Sequence, residues 1–159
     1  MKQFKIIPLS EENADRIRKT KKDDFGHDAD ERIATGKGSC RVSLKPFKVG
    51  EDTRLLISQS PFSIDNIFNQ PGPIFIHKEK VESYKDIHHF SPEIKADKGH
   101  FHLTLIGYNE KQLMILAKLV GEQDEDELIL KIFDENPKLV CLHARSAEAC
   151  YFICRFERA

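Results

Sequence analysis

Cys40 and Arg41 adjoin where a glycine-rich stretch ends. A thiol beside a guanidinium has a lowered pKa, which makes it a better nucleophile or ligand near neutral pH. His77 closes the apolar run Ile74 to Ile76, the place where a sheet edge would offer a base or a ligand. Cys141, His143 and Arg145 alternate with Leu142 and Ala144. In a strand the three polar groups therefore share one face, and Val140, Leu142 and Ala144 share the core face. The planar fork of Arg145 suits a carboxylate or phosphate, and His143 would orient that ligand or move a proton. The expectation is that Cys40, Arg41, His77, His143 and Arg145 converge on one pocket for a small anionic ligand. The competing reading has the same residues as structural polar groups of a protein-interaction module, with the His143 face packed under a helix.

Weaker signals surround these. His100 and His102 would share a strand face about 6.6 Å apart, a spacing that permits two imidazoles on one zinc, but no third ligand is marked. A zinc protein is thus the third reading, and no metal is assigned. His88 and His89 are a loop pair whose side chains diverge. Gly36-Lys37-Gly38-Ser39 looks faintly phosphate-binding but lacks the remainder of a P-loop. Nucleophile-elbow, dinucleotide and zincin motifs are missing, so no reaction type or cofactor is named. Of the four cysteines, none are spaced as a redox or zinc pair, and Cys150 and Cys154 stand ~13 Å apart if both lie in a strand. Both read as small buried hydrophobes and all four as free thiols.

The elements that must position these residues follow from periodicity. Residues 2–9 read as a strand. Ser10 caps a helix to about Thr20 that opens on Glu11 and Glu12 and ends in Arg16, Arg18, Lys19, Lys21 and Lys22, as the helix dipole favours. A short strand is expected over 31–35, with further strands over 40–44, 54–59 and 74–77. Three prolines and a glycine in 60–73 forbid a long helix there. Ser91-Pro92 starts a helical turn. Strands over 100–108 and 112–120 flank Asn109-Glu110 as a hairpin. Residues 124–135 form the clearest helix, with an acidic first turn, Leu128, Ile129, Ile132 and Phe133 on one face, and Asn136-Pro137 as the stop. That acidic run lacks the interleaved ligands and glycine of a calcium loop. Strands over 138–145 and 149–157 complete a single α+β domain. It has a largely antiparallel sheet of about seven strands and two or three helices, with the 124–135 helix covering a sheet face.

Composition bounds the function. With 159 residues the size prior is one domain. Twenty-five Lys and Arg against 26 Asp and Glu leave a formal charge of -1, which argues against nucleic acid or an anionic membrane as partner. No apolar run approaches a membrane span, and no secretory leader is seen. A cytoplasmic, reducing location is expected.

Four strings keep a telling order: CRVSL at 40–44, VGEDTRLLIS at 49–58, GPIFIH at 72–77 and LHARSAEACYFICRFERA at 142–159. In this the chain resembles the domain-of-unknown-function 1203 family of bacterial proteins, over most of residues 31–159. It departs from one branch at Val42 to Leu44, where those members carry a second Cys and a His, which counts against a metal site in this loop. The resemblance implies an α+β domain in the bacterial cytoplasm and no particular activity.

Overall fold

Strand Phe4–Ile7 (β1) buries Phe4 and Ile6 and leaves Lys5 and Ile7 half-covered, the alternation of a strand with one face on a core. The computed structural model describes residues 3–62 and 66–159. After β1 come α1 (Glu11–Thr20), β2 (Asp30–Ile33), β3 (Thr53–Gln59), β4 (Gly72–His77), α2 (Pro92–Lys95), β5 (Leu103–Tyr108), β6 (Met114–Leu119), α3 (Glu125–Glu135), β7 (Cys141–Ser146) and β8 (Phe152–Arg158). The class is α+β. Eight strands form two antiparallel sheets, ordered β1-β8-β7-β5-β6 and β2-β3-β4. Residue 2 of the expected first strand, and 63–65 of the proline-rich stretch, lie outside the described residues.

Both long helices begin and end as their sequences specify. The Ser10 side chain accepts from Asn13 N, and Lys21 closes α1 in the left-handed region at φ 55°. The Asp124 carboxylate accepts from Glu127 N at 3.1 Å and opens α3. Leu128, Ile129, Ile132 and Phe133 of α3 pack with Leu105, Leu142, Ala144 and Phe156, so this helix covers one face of the five-stranded sheet. The second core joins α1, through Ala14 and Ile17, to Leu55, Ile57, Ile74 and Ile76 of the smaller sheet and to Phe152 of β8. Phe152 thereby links the two layers.

The differences from the sequence reading are local. Residues 40–44 are a turn, not a strand: Leu44 N bonds back to Cys40 O at 2.8 Å and Leu44 takes φ 53°. His100 and His102 precede β5, in the turn after α2 and the segment that follows it. They therefore share no strand face. Val140 is exposed, just ahead of β7. Cys150 is exposed in the β7–β8 turn at φ 61°, while Cys154 is buried as expected.

Candidate functional site

The turn at 40–44 lies against β4. Cys40 bridges to Phe75 in parallel, and Arg41 N donates to Phe75 O at 2.8 Å. Successive side chains then diverge, and the five candidate residues divide into two groups around β4 and β8.

The first group is Cys40 and His77, joined by Asp52. Cys40 is fully buried. Burial alone would raise its thiol pKa. The neighbouring His77 imidazole and the Ser43 main chain and hydroxyl outweigh burial and bring it down to about 7. His77 Nε2 lies 3.3 Å from Asp52 Oδ2, and its ring packs on Phe47 with centroids 4.4 Å apart. Burial disfavours a charged His77, yet Cys40 and Asp52 together lift its pKa above the usual histidine value. Among the described residues no well-aligned hydrogen bond reaches His77 Nδ1, so the thiol and ring interact through proximity and charge. Asp52 is fixed by Lys48 N, which donates to its Oδ2 at 2.8 Å and, as the leading cause, holds this carboxyl below its ordinary value. The backbone there turns through Gly50 at φ 79°, a conformation that favours glycine. His77 and Asp52 border a surface groove of about 790 Å³ that Ser43 also lines. A proton can pass between thiol and imidazole, and the imidazole is the member of the pair that meets the groove.

The second group is Arg41, His143 and Arg145, which meet at the Phe152 ring. The guanidinium carbons of Arg41 and Arg145 lie 4.8 and 5.5 Å from its centroid, and the His143 ring stands edge-on at 5.2 Å. Arg41 Nη1 donates to Ile7 O at 3.0 Å. Burial lowers the Arg41 pKa to about 10, so it stays charged at neutral pH. His143 has no exposed surface and sits among Phe62, Tyr108 and Phe152. Burial first, then Arg155, Arg145 and Arg41, lower its pKa to about 3. It is a neutral ring at physiological pH. The alternation along β7 holds, but its polar face looks away from α3, whose contacts are with Leu142 and Ala144.

Arg145 is committed to main chain. Its Nη1 donates to Cys150 O at 3.1 Å and its Nη2 to Gln70 O at 2.7 Å, tying the loop before β4 to the β7–β8 turn. Gly72 makes room, since a Cβ there would come within 2.7 Å of Nη1. Arg145→Ala is therefore expected to lower stability by about 3 kcal/mol, because two carbonyls lose a charged donor. Urea denaturation measures it, and an unchanged midpoint would show that the two bonds contribute nothing.

Sequence reasoning passed over Asp52 and Ser43. The signal for Asp52 is a register effect: β3 and β4 pair Arg54 with His77, which sets Asp52 diagonally across from the histidine. Among the described residues no group of three or more His, Cys, Asp or Glu side chains is arranged to hold a metal ion. No helix of the described residues is long and apolar enough to cross a membrane.

The family model described as "Protein of unknown function (DUF1203)" matches residues 38–158. The chain belongs to that family. The match begins two residues before Cys40 and ends at Arg158, so in this DUF1203 chain all five candidate residues and Asp52 fall inside it. No curated protein and no solved structure matches the chain.

The four cysteines are free thiols. Timed alkylation followed by mass spectrometry is expected to label the exposed Cys150 within the folded state. Cys40, Cys141 and Cys154 should label only as the protein opens. A native Cys40 that reacts as fast as Cys150 would mean that the turn at 40–44 opens far more readily than its packing implies.

Proposed function

We propose that this protein is a small-molecule-binding domain, with the capacity for acid–base chemistry, whose ligand occupies the groove bordered by His77 and Asp52. His77 would touch the ligand. Cys40, buried beneath, would act as its charge partner, and Asp52 would orient the ring. The observation that carries this reading is the Asp52–His77–Cys40 line, with His77 Nε2 3.3 Å from Asp52 Oδ2 and the Cys40 thiol pKa near 7. A histidine held between two ionisable partners at the wall of a groove is the kind of perturbed group in a cleft that makes a functional-site candidate. When the thiol proton moves to His77, the imidazolium brings a positive charge to the wall of the groove, and the thiolate and carboxylate balance it. In this reading the protein works in the reducing cytoplasm of a bacterium, where free thiols persist.

Two measurements test it. NMR titration of the His77 ring should give a lower pKa in Cys40→Ala and in Asp52→Asn than in the parent chain. A fragment library screened by amide shifts should yield binders that perturb Ser43, Asp52 and His77, and His77→Gln should remove them while the protein stays folded. Fragments that gather elsewhere, or a His77 that titrates alike in all three proteins, would refute the reading.

A further inference from the structure

Three features with no part in the His77 groove come together at a second place. They are the Gly36–Ser39 loop, the His100 and His102 pair, and Arg54 of β3. All line a cleft of about 260 Å³ between the two sheets, whose other walls include Phe75, Tyr151 and Phe152. We propose that this cleft binds a small organic anion, an oxyanion head on a flat apolar body.

The charge of the cleft favours an anion. Lys37, Arg54, His100 and His102 line it, and among the described residues no Asp or Glu does. One carboxylate stands just outside: Asp97 takes Lys37 Nζ at 2.7 Å and His100 Nδ1 at 2.9 Å. Arg54 is not neutralised by a carboxylate within ion-pair distance among the described residues. Its guanidinium lies 4.0 Å over the Phe75 ring, and Nη1 donates to Gly36 O at 3.1 Å. That placement leaves further donors of a planar fork suited to oxyanions.

Ser39 supplies the independent pointer to a ligand. The residue is 6% exposed, and its buried Oγ has no hydrogen-bond partner among the described residues. A buried hydroxyl without a partner is costly, and a ligand oxygen at this wall of the cleft would satisfy it. The amides of Lys37, Gly38 and Ser39 also donate to no other described residue, which makes the loop a further source of donors for an oxyanion. Gly38 keeps this loop close to the ring: a Cβ there would meet the Phe75 ring at 3.0 Å, tighter than ordinary contact.

The apolar walls define the other half of the ligand. Phe75 and Tyr151 stack with centroids 4.9 Å apart and planes 17° from parallel, and both rings line the cleft. At 260 Å³ the space lies below the usual range for drug-sized ligands, so one ring and one anionic group is the size it takes. Carboxylate and phosphate share the required chemistry, and the probes below separate them.

The test is an amide NMR titration of the full chain with phenyl phosphate, benzoate and inorganic phosphate. Phenyl phosphate or benzoate should give saturable shifts centred on Gly36, Gly38, Ser39, Arg54 and Ser146, and should bind at least tenfold more tightly than inorganic phosphate. Ser39→Ala should weaken that binding about tenfold with thermal stability equal to or above the parent, since it deletes only an unpartnered hydroxyl. Arg54→Lys should weaken it by a similar factor. Should one variant fail to fold, the other and the parent titration still decide. The proposal falls if neither aromatic anion gives a saturable shift by ~10 mM, weaker than any millimolar site. It falls equally if inorganic phosphate binds as tightly as phenyl phosphate, if both variants bind as the parent does, or if the shifts centre on Ser43, Asp52 and His77. The last result would move the anion into the groove, leaving the separate reading of that groove standing.

Discussion

Acidification from about pH 6 to about pH 4 is expected to remove about 3 kcal/mol of stability through His143 alone, at about 1.4 kcal/mol per pH unit. The ring has no exposed surface, and Phe62, Tyr108 and Phe152 surround it. Its pKa falls from the ordinary 6.5 to about 3 because burial and the charges of Arg155, Arg145 and Arg41 all oppose a cation there. The sign follows from proton counting. Between pH 3 and pH 6.5 the unfolded chain holds a proton on this residue that the folded chain refuses. Stability therefore rises with pH across that window and is lost as pH falls through it. Above pH 6.5 both states are neutral at this position and the effect vanishes. Carboxylates add their own acid lability, so the comparison is with His143→Leu, which keeps an apolar ring-sized filling and has nothing to protonate. Urea midpoints measured for both proteins from neutral to acid pH should show the parent losing stability relative to His143→Leu as pH drops. Parallel curves would mean that the folded protein admits a proton at His143.

Phe133→Ala should cost about 3–5 kcal/mol, the usual range for truncating a buried Phe. For a chain of this size that is a fall in Tm on the order of 10 °C. The ring is 5% exposed and belongs to the core that α3 forms with the large sheet. Two contacts beyond packing depend on it and its main chain: the Arg158 guanidinium sits 4.9 Å from the ring centroid, and Arg158 Nη2 donates to Phe133 O at 2.8 Å. Because the carbonyl bond survives the truncation, the loss is of packing and of the cation–ring contact. Glu135→Ala on the exposed side of the same helix is the control and should stay within about 0.5 kcal/mol, since its Lys131 partner is a 3.9 Å surface pair. Equal midpoints for the two variants would contradict the burial of this face.

Helix α3 was legible because everything that makes it is local. Asp124 and Glu127 sit one turn apart at the cap, the apolar residues recur on one face, and Asn136-Pro137 ends it. The same holds for α1, for the β5–β6 and β7–β8 hairpins, and for the alternation of Cys141, His143 and Arg145, since each is set by neighbours within a few residues. These determined the α+β class and which side chains of β7 share a face. What covers that face is a long-range matter. Period-2 spacing is identical for a face turned to water, to a ligand or to a second layer. Only the fold gave His143 its cage of Phe62 from the loop after β3, Tyr108 of β5 and Phe152 of β8, and brought the Gln70 carbonyl to Arg145.

The candidate centres needed pairing register as well. Asp52 meets His77 because β3 and β4 pair with Arg54 opposite that histidine, and a shift of one residue would turn Asp52 to the other side of the sheet. The loop Gly36–Ser39 and the segment holding His100 and His102 are some sixty residues apart, yet they line one cleft because the two sheets stack. The sequence by itself thus determined the elements, their caps and the identity of the polar residues. The tertiary structure decided which of those residues became neighbours, because charge, burial and hydrogen bonding act through space and the chain brings distant segments within a few ångströms only when its layers pack.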